Sequence, residues 1–541
     1  MKIERFFNTA GPVRPLKNYC IDPLSRFDLD EIQTLIQQEK YFILHAPRQT
    51  GKTSFLLALI DFLNKQGKYK ALYTNLESAQ AARQNVKEGM RAILNALSED
   101  ALDLLNDSFL EEKWQETLEQ RGEFSAFKHL LSLWCRQSEK PVVLLIDEVD
   151  SLVGDTLISL LRQLRRGYPN RPALFPQSII LCGIRDVKDY RMHSDIEKEI
   201  ITGGSAFNIN AESLKLGNFN LEEIKMLYGQ HTTETGQPFA NDVFPLVWDL
   251  TAGQPWLVNA LAYEACFEMK EGQDRGKEIT VPMIQQAKEN LILRRETHLD
   301  QLTDKLKEER VKRVLMPLLV GSGDIEEIPE DDIDYAVDLG LIKRKPQLAV
   351  ANRIYQETIP RQLTNSAQVT IVQEASWYMT TGGRLDMDKL LTAFQDFFRK
   401  HFESWVDGFD YAEAGAQLLL QAFLQRIVNG GGRVEREYGL GHMRTDLLVI
   451  WPLNIDKNLP GDHYSRFYNA QQAVVELKLL HGSLQTTIKQ GLEQTYTYMD
   501  KCGAKEGYLL IFNPSTKKPW REKLFKKTGT FKDVKINIYG M

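Results

Sequence analysis

Short apolar runs that end in polar residues alternate with stretches of helical spacing through the first part of the chain. Residues 40–45 (KYFILH) form one such run, leading into APRQTGKT and then SFLLALIDFLNKQ, so this segment predicts strand, loop, helix. Further strand candidates are KYKALYTNLE at 68–77, PVVLLIDEVD at 141–150 and QSIILCGIRD at 177–186. The last two are continuously apolar, as parallel strands covered on both faces should be. Strands interleaved with helices predict an α/β domain.

From about 218 to 290 the spacing is helical, broken at Gly253-Gln254-Pro255, and this predicts a helical lid. A charge-dense helix at 294–315 follows. IPEDDIDYAVDLGLIKRKPQLAVANRIYQETI then reads as a helix, a turn at Gly340 and a short hairpin around Lys345-Pro346, the order of a winged helix. Beyond a polar link near 364–368 come helical WYMTTGGRLDMDKLLTAFQDFFRKHF and AEAGAQLLLQAFLQRIVNG. Strand-like RVEREYG, RTDLLVIWP, AQQAVVELKLL and GYLLIFN complete a second α/β unit, with helical LQTTIKQGLEQTYTYMDKCG before the last of them. The expected division is a core at 1–215, a lid at 216–293, a winged-helix connector at 294–365 and a second α/β unit at 366–541.

A length of 541 residues calls for several domains, and 43% hydrophobic with 26% charged residues excludes a disordered, fibrous or membrane chain. The net charge of -6 excludes a global basic field, so any nucleic-acid surface must be local. Residues 370–541 hold 22 basic against 19 acidic side chains, which makes the C-terminal part relatively basic. Five scattered cysteines lack any CxxC pair, and the nine histidines form no ligand cluster. MKIERFFNTAGPVRP has no apolar signal core and no run suffices to span a bilayer, so a cytoplasmic protein without a membrane is expected.

Chemistry enters at Ala46-Pro47-Arg48-Gln49-Thr50-Gly51-Lys52-Thr53. A GxxxxGK[ST] loop surrounds phosphate with successive backbone N–H groups at a helix N-terminus, where the helix dipole also favours negative charge. The first glycine of that pattern is Ala46 here. Gly51 permits close backbone approach, Lys52 can reach the β- and γ-phosphates, and Thr53 can ligate Mg2+. Asp147 and Glu148, closing the 141–148 run, would set one carboxylate on that ion and the next on an attacking water.

Together APRQTGKT and VVLLIDE resemble AAA-like P-loop ATPases related to the STAND and archaeal-type groups. The resemblance takes in SIILCGIRD and the helix TAGQPWLVNALAYEA, covering about 10–290. It implies ATP and Mg2+ as ligands and assembly into a homo-oligomer through this domain. Arg185 stands where such proteins often carry a sensor or arginine finger, and a structural arginine is an equal alternative. Cys182 lies near the place of the expected polar sensor.

A second constellation lies in the C-terminal part. Phosphodiester cleavage needs carboxylates to hold a divalent ion and a cation near the nucleophilic water. Asp446 at the start of one strand, with Glu476 and Lys478 on the same side of the next, would supply them. Gln494 and Tyr498 share a face of the following helix through their i, i+4 spacing. This series resembles the PD-(D/E)xK nuclease superfamily, the branch with a QxxxY helix, over about 405–541. The resemblance implies a restriction-endonuclease-like fold and a Mg2+ site, with Mn2+ as an alternative ion. It also implies a helix glutamate completing that site, with Glu413 the match and Glu437 a rival; Thr445 replaces the family's proline.

The expected protein is thus an α/β ATPase with a parallel sheet, helical lid and winged-helix connector, fused to a DNA-cutting nuclease, in a setting of defence against, or maintenance of, mobile DNA. Basic stretches 305–313 and 515–527, the latter with Trp520 and Phe525, are candidate contacts for DNA phosphates, against solvated lysine faces as the plainer reading. The rival functions are a regulatory NTPase switch and a DNA translocase, in either of which the nuclease-like domain mainly binds DNA.

Overall fold

The computed structural model describes residues 5–186, 191–194, 199–202, 207–294, 305–306, 308–320, 328–363, 378–406, 420, 423–424, 433–436, 439–440, 443–444, 447–453, 470–480, 482–513, 515 and 518–541. Two compact units divide the chain: Met1–Ala287 with Asp334–Leu341, and Lys288–Ile333 with Ile342–Met541.

The first unit is built on five parallel strands, β1 (Tyr41–His45), β2 (Lys70–Asn75), β3 (Val142–Asp147), β4 (Ser178–Gly183) and β5 (Asn210–Lys215), in the order β2-β3-β4-β1-β5. Every residue of β3 and β4 is buried, which explains their unbroken apolar runs. The two-residue period sorts their side chains into two cores. Val143, Leu145, Ile180 and Cys182 face α1 (Leu29–Gln37) and α2 (Lys52–Gln66). Val142, Leu144, Ile146, Ile179 and Leu181 join the core of α3 (Val86–Leu105), α4 (Phe109–Arg121), α5 (Ala126–Gln137) and α6 (Gly154–Gly167).

The segment expected as a lid contains α7 (Leu221–Thr235), α8 (Val243–Thr251) and α9 (Pro255–Tyr263), and α10 (Val281–Arg294) comes later in the chain. The Gly-Gln-Pro break has a local cause. Gly253 takes the left-handed backbone (φ 73°), the Gln254 side chain caps α9 by accepting from Leu257 N, and Pro255 occupies the first helical turn. The polar N-terminal lead, for which the sequence predicts no element, is also used. Phe6–Phe7 pairs in parallel with Asn18–Tyr19, and Phe7 and Tyr19 pack on Tyr228 and His231 of α7.

In the second unit α13 (Arg353–Leu363) follows an antiparallel hairpin of β6 (Ile342–Lys343) and β7 (Ala349–Val350). Ahead of the hairpin lie α11 (Glu309–Val320) and the start of α12 (Glu330–Asp338), whose residues from Asp334 onward belong to the first unit. A six-stranded mixed sheet follows: β8 (Arg433–Arg436), β9 (Leu447–Pro452), β10 (Ala470–Leu479), β11 (Glu506–Phe512), β12 (Phe525–Phe531) and β13 (Val534–Gly540). Its order is β8-β9-β10-β11-β13-β12. Helix α14 (Met387–Val406) covers one face through Leu390, Phe394 and Phe398, and α15 (Leu484–Cys502) covers the other through Leu492, Tyr498 and Met499.

Two local readings change. The helix expected from position 377 begins at Met387, because Tyr378–Asp386 turns back through a Met379–Leu385 bridge with Gly383 left-handed. Part of the basic stretch 515–527 is the start of β12, half of an unforeseen C-terminal hairpin. Among the described residues no helix is long and apolar enough to cross a membrane.

At Gly253 a Cβ would stand 1.9 Å from the Phe219 carbonyl oxygen and 2.8 Å from the Trp248 ring. Gly236 has the same backbone hand and nothing within 4 Å. Gly253→Ala is expected to cost about 2–4 kcal/mol and Gly236→Ala about 1 kcal/mol. Urea denaturation of both variants checks the ranking, and equal losses would contradict it.

Candidate functional site

The phosphate-loop sequence lies between β1 and α2 and bends through two left-handed residues, Gln49 (φ 57°) and Gly51 (φ 98°). Gly51 is the N-cap of α2 and offers no side chain, so the first N–H groups of this helix have no side-chain acceptor. Ala46, in place of a glycine, is fully buried, and its N–H donates to Gly183 O at 3.2 Å. Lys52 is only 8% exposed and folds back on the loop, donating to Ala46 O at 2.9 Å and Pro47 O at 3.0 Å. Thr50 Oγ1 donates to Pro47 O, and the Gln254 amide reaches Gln49 O at 3.4 Å.

Asp147 ends β3 on the face shared with Val143 and Leu145, and that face looks onto α2. Its carboxylate is 0% exposed and therefore needs donors. Thr53 Oγ1 donates to Oδ2 at 2.8 Å, Tyr73 OH to the same oxygen at 3.0 Å, and Glu148 N to Oδ1 at 2.9 Å. The buried Cys182 thiol lies beside this carboxylate, and after burial itself the Asp147 charge is the next cause that pushes the thiol up. Nothing in the sequence singles out Tyr73. Its odd position on β2, matching that of the buried partner strand, is the available signal.

Glu148 occupies the left-handed region (φ 53°), which is uncommon for a side chain of its size and re-aims it past the strand end. Burial first, then the charges of Asp150 and Asp147, push its carboxyl up to about 6, while Lys52 and Arg48 pull the other way. The Asp150 carboxylate accepts Ile184 N at 3.1 Å and so ties the end of β4 to this acidic turn. Arg185 follows directly and donates through Nε to Asp338 Oδ2 at 3.1 Å.

A cavity of about 130 Å³ opens beside the loop. Among its walls are Asn8, Gln49, Ser54, Phe219, Trp256 and Asn259, and Trp256 Nε1 donates to Thr9 O at 2.8 Å, fastening the N-terminal segment to the lid. Sequence patterns do not disclose this cavity, because its walls come from four separate segments. Apolar and aromatic walls beside a helix start without a side-chain cap fit a nucleotide, and Thr53 beside Asp147 fits its Mg2+.

In the second unit Glu476 and Val474 share the face of β10 that α15 covers. Glu476 is 1% exposed and pairs with Lys478 at 3.1 Å. Gln494 Nε2 donates to Tyr498 OH at 3.1 Å on α15. Asp446, Glu413 and Glu437 lie outside the described residues. The described strand β9 starts at Leu447, whose partner is Val475. Among the described residues no group of three or more His, Cys, Asp or Glu side chains is placed to hold a metal.

The sequence profile of the AAA-like domain family matches residues 24–357. The chain is similar in structure to the Walker-type ATPase of Pyrococcus abyssi, at 15% identity over 65% of this chain and 99% of that one, with a TM-score of 0.44. It is also similar to the Aeropyrum pernix ORC2 protein, at 14% identity over 62% and 94%, with a TM-score of 0.35. A third likeness is the Thermotoga maritima RuvB branch migration motor, at 12% identity over 61% and 94%, with a TM-score of 0.31. Comparison with curated proteins gives no match.

Because the Glu148 carboxyl is raised from 4.5 to about 6, its ionisation opposes folding. That penalty is absent below pH 4.5, grows as pH rises through 6 and is complete above. Glu148→Gln should therefore raise the thermal midpoint at pH 7.5, with a gain that shrinks as pH falls toward 4.5. Thermal scans across that range check the sign.

Proposed function

Because this chain belongs to the AAA-like domain family, we propose that its first unit binds ATP with Mg2+ and hydrolyses it, and that its second unit cuts DNA phosphodiesters. The observation that carries the first half is the row Thr53, Asp147, Glu148 beside a helix start without a side-chain cap. In this reading the N–H groups around Gly51 to Thr53 receive phosphate oxygens, and Lys52 exchanges loop carbonyls for the β- and γ-phosphates. Thr53 and Asp147 would hold Mg2+, which when bound would neutralise charge on the transferred phosphoryl group. Glu148 takes the proton of the attacking water; a carboxyl near 6 is a stronger base than an exposed one and is still ionised at neutral pH. The nucleotide base enters the cavity walled by Phe219 and Trp256.

Support for the second half is Glu476. A strand position under a helix gains stability from an apolar side chain, and a buried carboxylate there is costly even when paired with Lys478. In this reading the pair serves chemistry and not stability. Asp446 immediately precedes Leu447, and Val475, the partner of Leu447, immediately precedes Glu476. Asp446 and Glu476, with Glu413 or Glu437, would hold the Mg2+ or Mn2+ that supplies charge neutralisation at the scissile phosphate. Lys478 steadies the nucleophilic water, and Gln494 and Tyr498 position the strand end. Arg185 and assembly through the first unit belong to the same proposal.

Purified full-length protein should be incubated with linear, circular and single-stranded DNA, with and without ATP, in Mg2+ or Mn2+. Lys52→Ala should lose about 10²- to 10³-fold in ATP hydrolysis. Lys478→Ala should lose DNA cleavage while hydrolysing ATP at the wild-type rate. Hydrolysis by the wild type without cleavage of any DNA would favour a regulatory NTPase or translocase whose second unit only binds DNA.

A further inference from the structure

Arg185 stands two residues past a strand end that touches the phosphate loop. Gly183 O accepts the Ala46 N–H, and Ile184 N–H donates to Asp150, whose charge is felt by Lys52. The guanidinium itself is held elsewhere. Its Nε donates to Asp338 Oδ2 at 3.1 Å, both side chains are 12% exposed, and the Tyr335 ring lies 5.0 Å beneath. The same turn presses on the loop directly: Gly340 is left-handed (φ 74°), and a Cβ there would stand 2.8 Å from Pro47 Cβ and Cγ. One short segment, 335–340, thus contacts both the phosphate loop and the arginine beside it.

Resting on the reading that this unit binds ATP, we propose that Asp338 is a positioning residue that holds Arg185 and sets the preference for ATP over ADP. A γ-phosphate draws the guanidinium from Asp338, and a diphosphate has no group in that place to do so. The exchange strands no charge. Arg185 passes from one anion to another, while Asp338 keeps Lys215, whose Nζ lies 4.0 Å from Oδ1. Tyr335 serves as a flat platform that keeps the guanidinium plane oriented during the swap. The energy that binds the third phosphate is therefore set partly by a carboxylate that never touches nucleotide.

The test is equilibrium binding of ADP and of a non-hydrolysable ATP analogue, each with Mg2+, to full-length protein. Asp338→Asn should tighten the triphosphate analogue about fivefold or more while ADP changes less than about twofold. Asp338→Glu should restore wild-type affinities. Arg185→Ala should abolish the gain, so that the double variant binds like Arg185→Ala alone. An equal shift for both nucleotides in Asp338→Asn, or the same tightening without Arg185, would overturn the proposal. Lys52→Ala is the control for the underlying site: if it leaves both affinities intact, the ATP reading falls first and this inference with it. If it weakens both while Asp338→Asn changes neither, only the role of Asp338 is lost.

Discussion

A carboxylate sealed from water at the end of a parallel strand must be surrounded by donors, and Asp147 gathers them from three directions, Thr53 on α2, Tyr73 on β2 and its own neighbour's backbone, with the Cys182 thiol of β4 beside it. That requirement aligns the ends of three strands with the start of one helix. The phosphate loop bridges β1 and α2 and so inherits its position from the same centre. Replacing any donor leaves a buried acceptor short, which couples the geometry of the site to the packing of the sheet.

The acidic turn after β3 shows how charge is distributed around that centre. Asp147 is fully supplied with donors, Asp150 accepts from the end of β4, and Glu148 is turned out by its left-handed backbone into a place where burial and two like charges raise its affinity for a proton. Neighbouring carboxylates in one turn therefore play different parts, a division made by local geometry and not by residue type.

Much of this is legible in the amino-acid sequence. Continuous apolar runs identify strands covered on both faces, and β3 and β4 are buried at every residue. The GK[ST] loop and the acids after β3 carry signals of fixed spacing, so the P-loop fold can be read directly. Features that depend on distance or on weak periodicity stay hidden. The cavity draws on segments near 10, 50, 220 and 256, and no local pattern links them. Strand β12 is an edge strand with most side chains half-buried or exposed, so its alternation is faint. Tyr73 resembles any other apolar strand residue, because only its ring and not its hydroxyl figures in hydrophobic spacing. Helical periodicity around 377 overruns the true start of α14, since Gly382-Gly383 marks a reversal that spacing alone passes over.

Lys52 lies over the carbonyl oxygens of Ala46 and Pro47. The cation is thus solvated by its own loop. In the proposed nucleotide-binding role a phosphate would gain access by substitution and not by dehydration, with the loop carbonyls as a spare coordination shell for the ammonium.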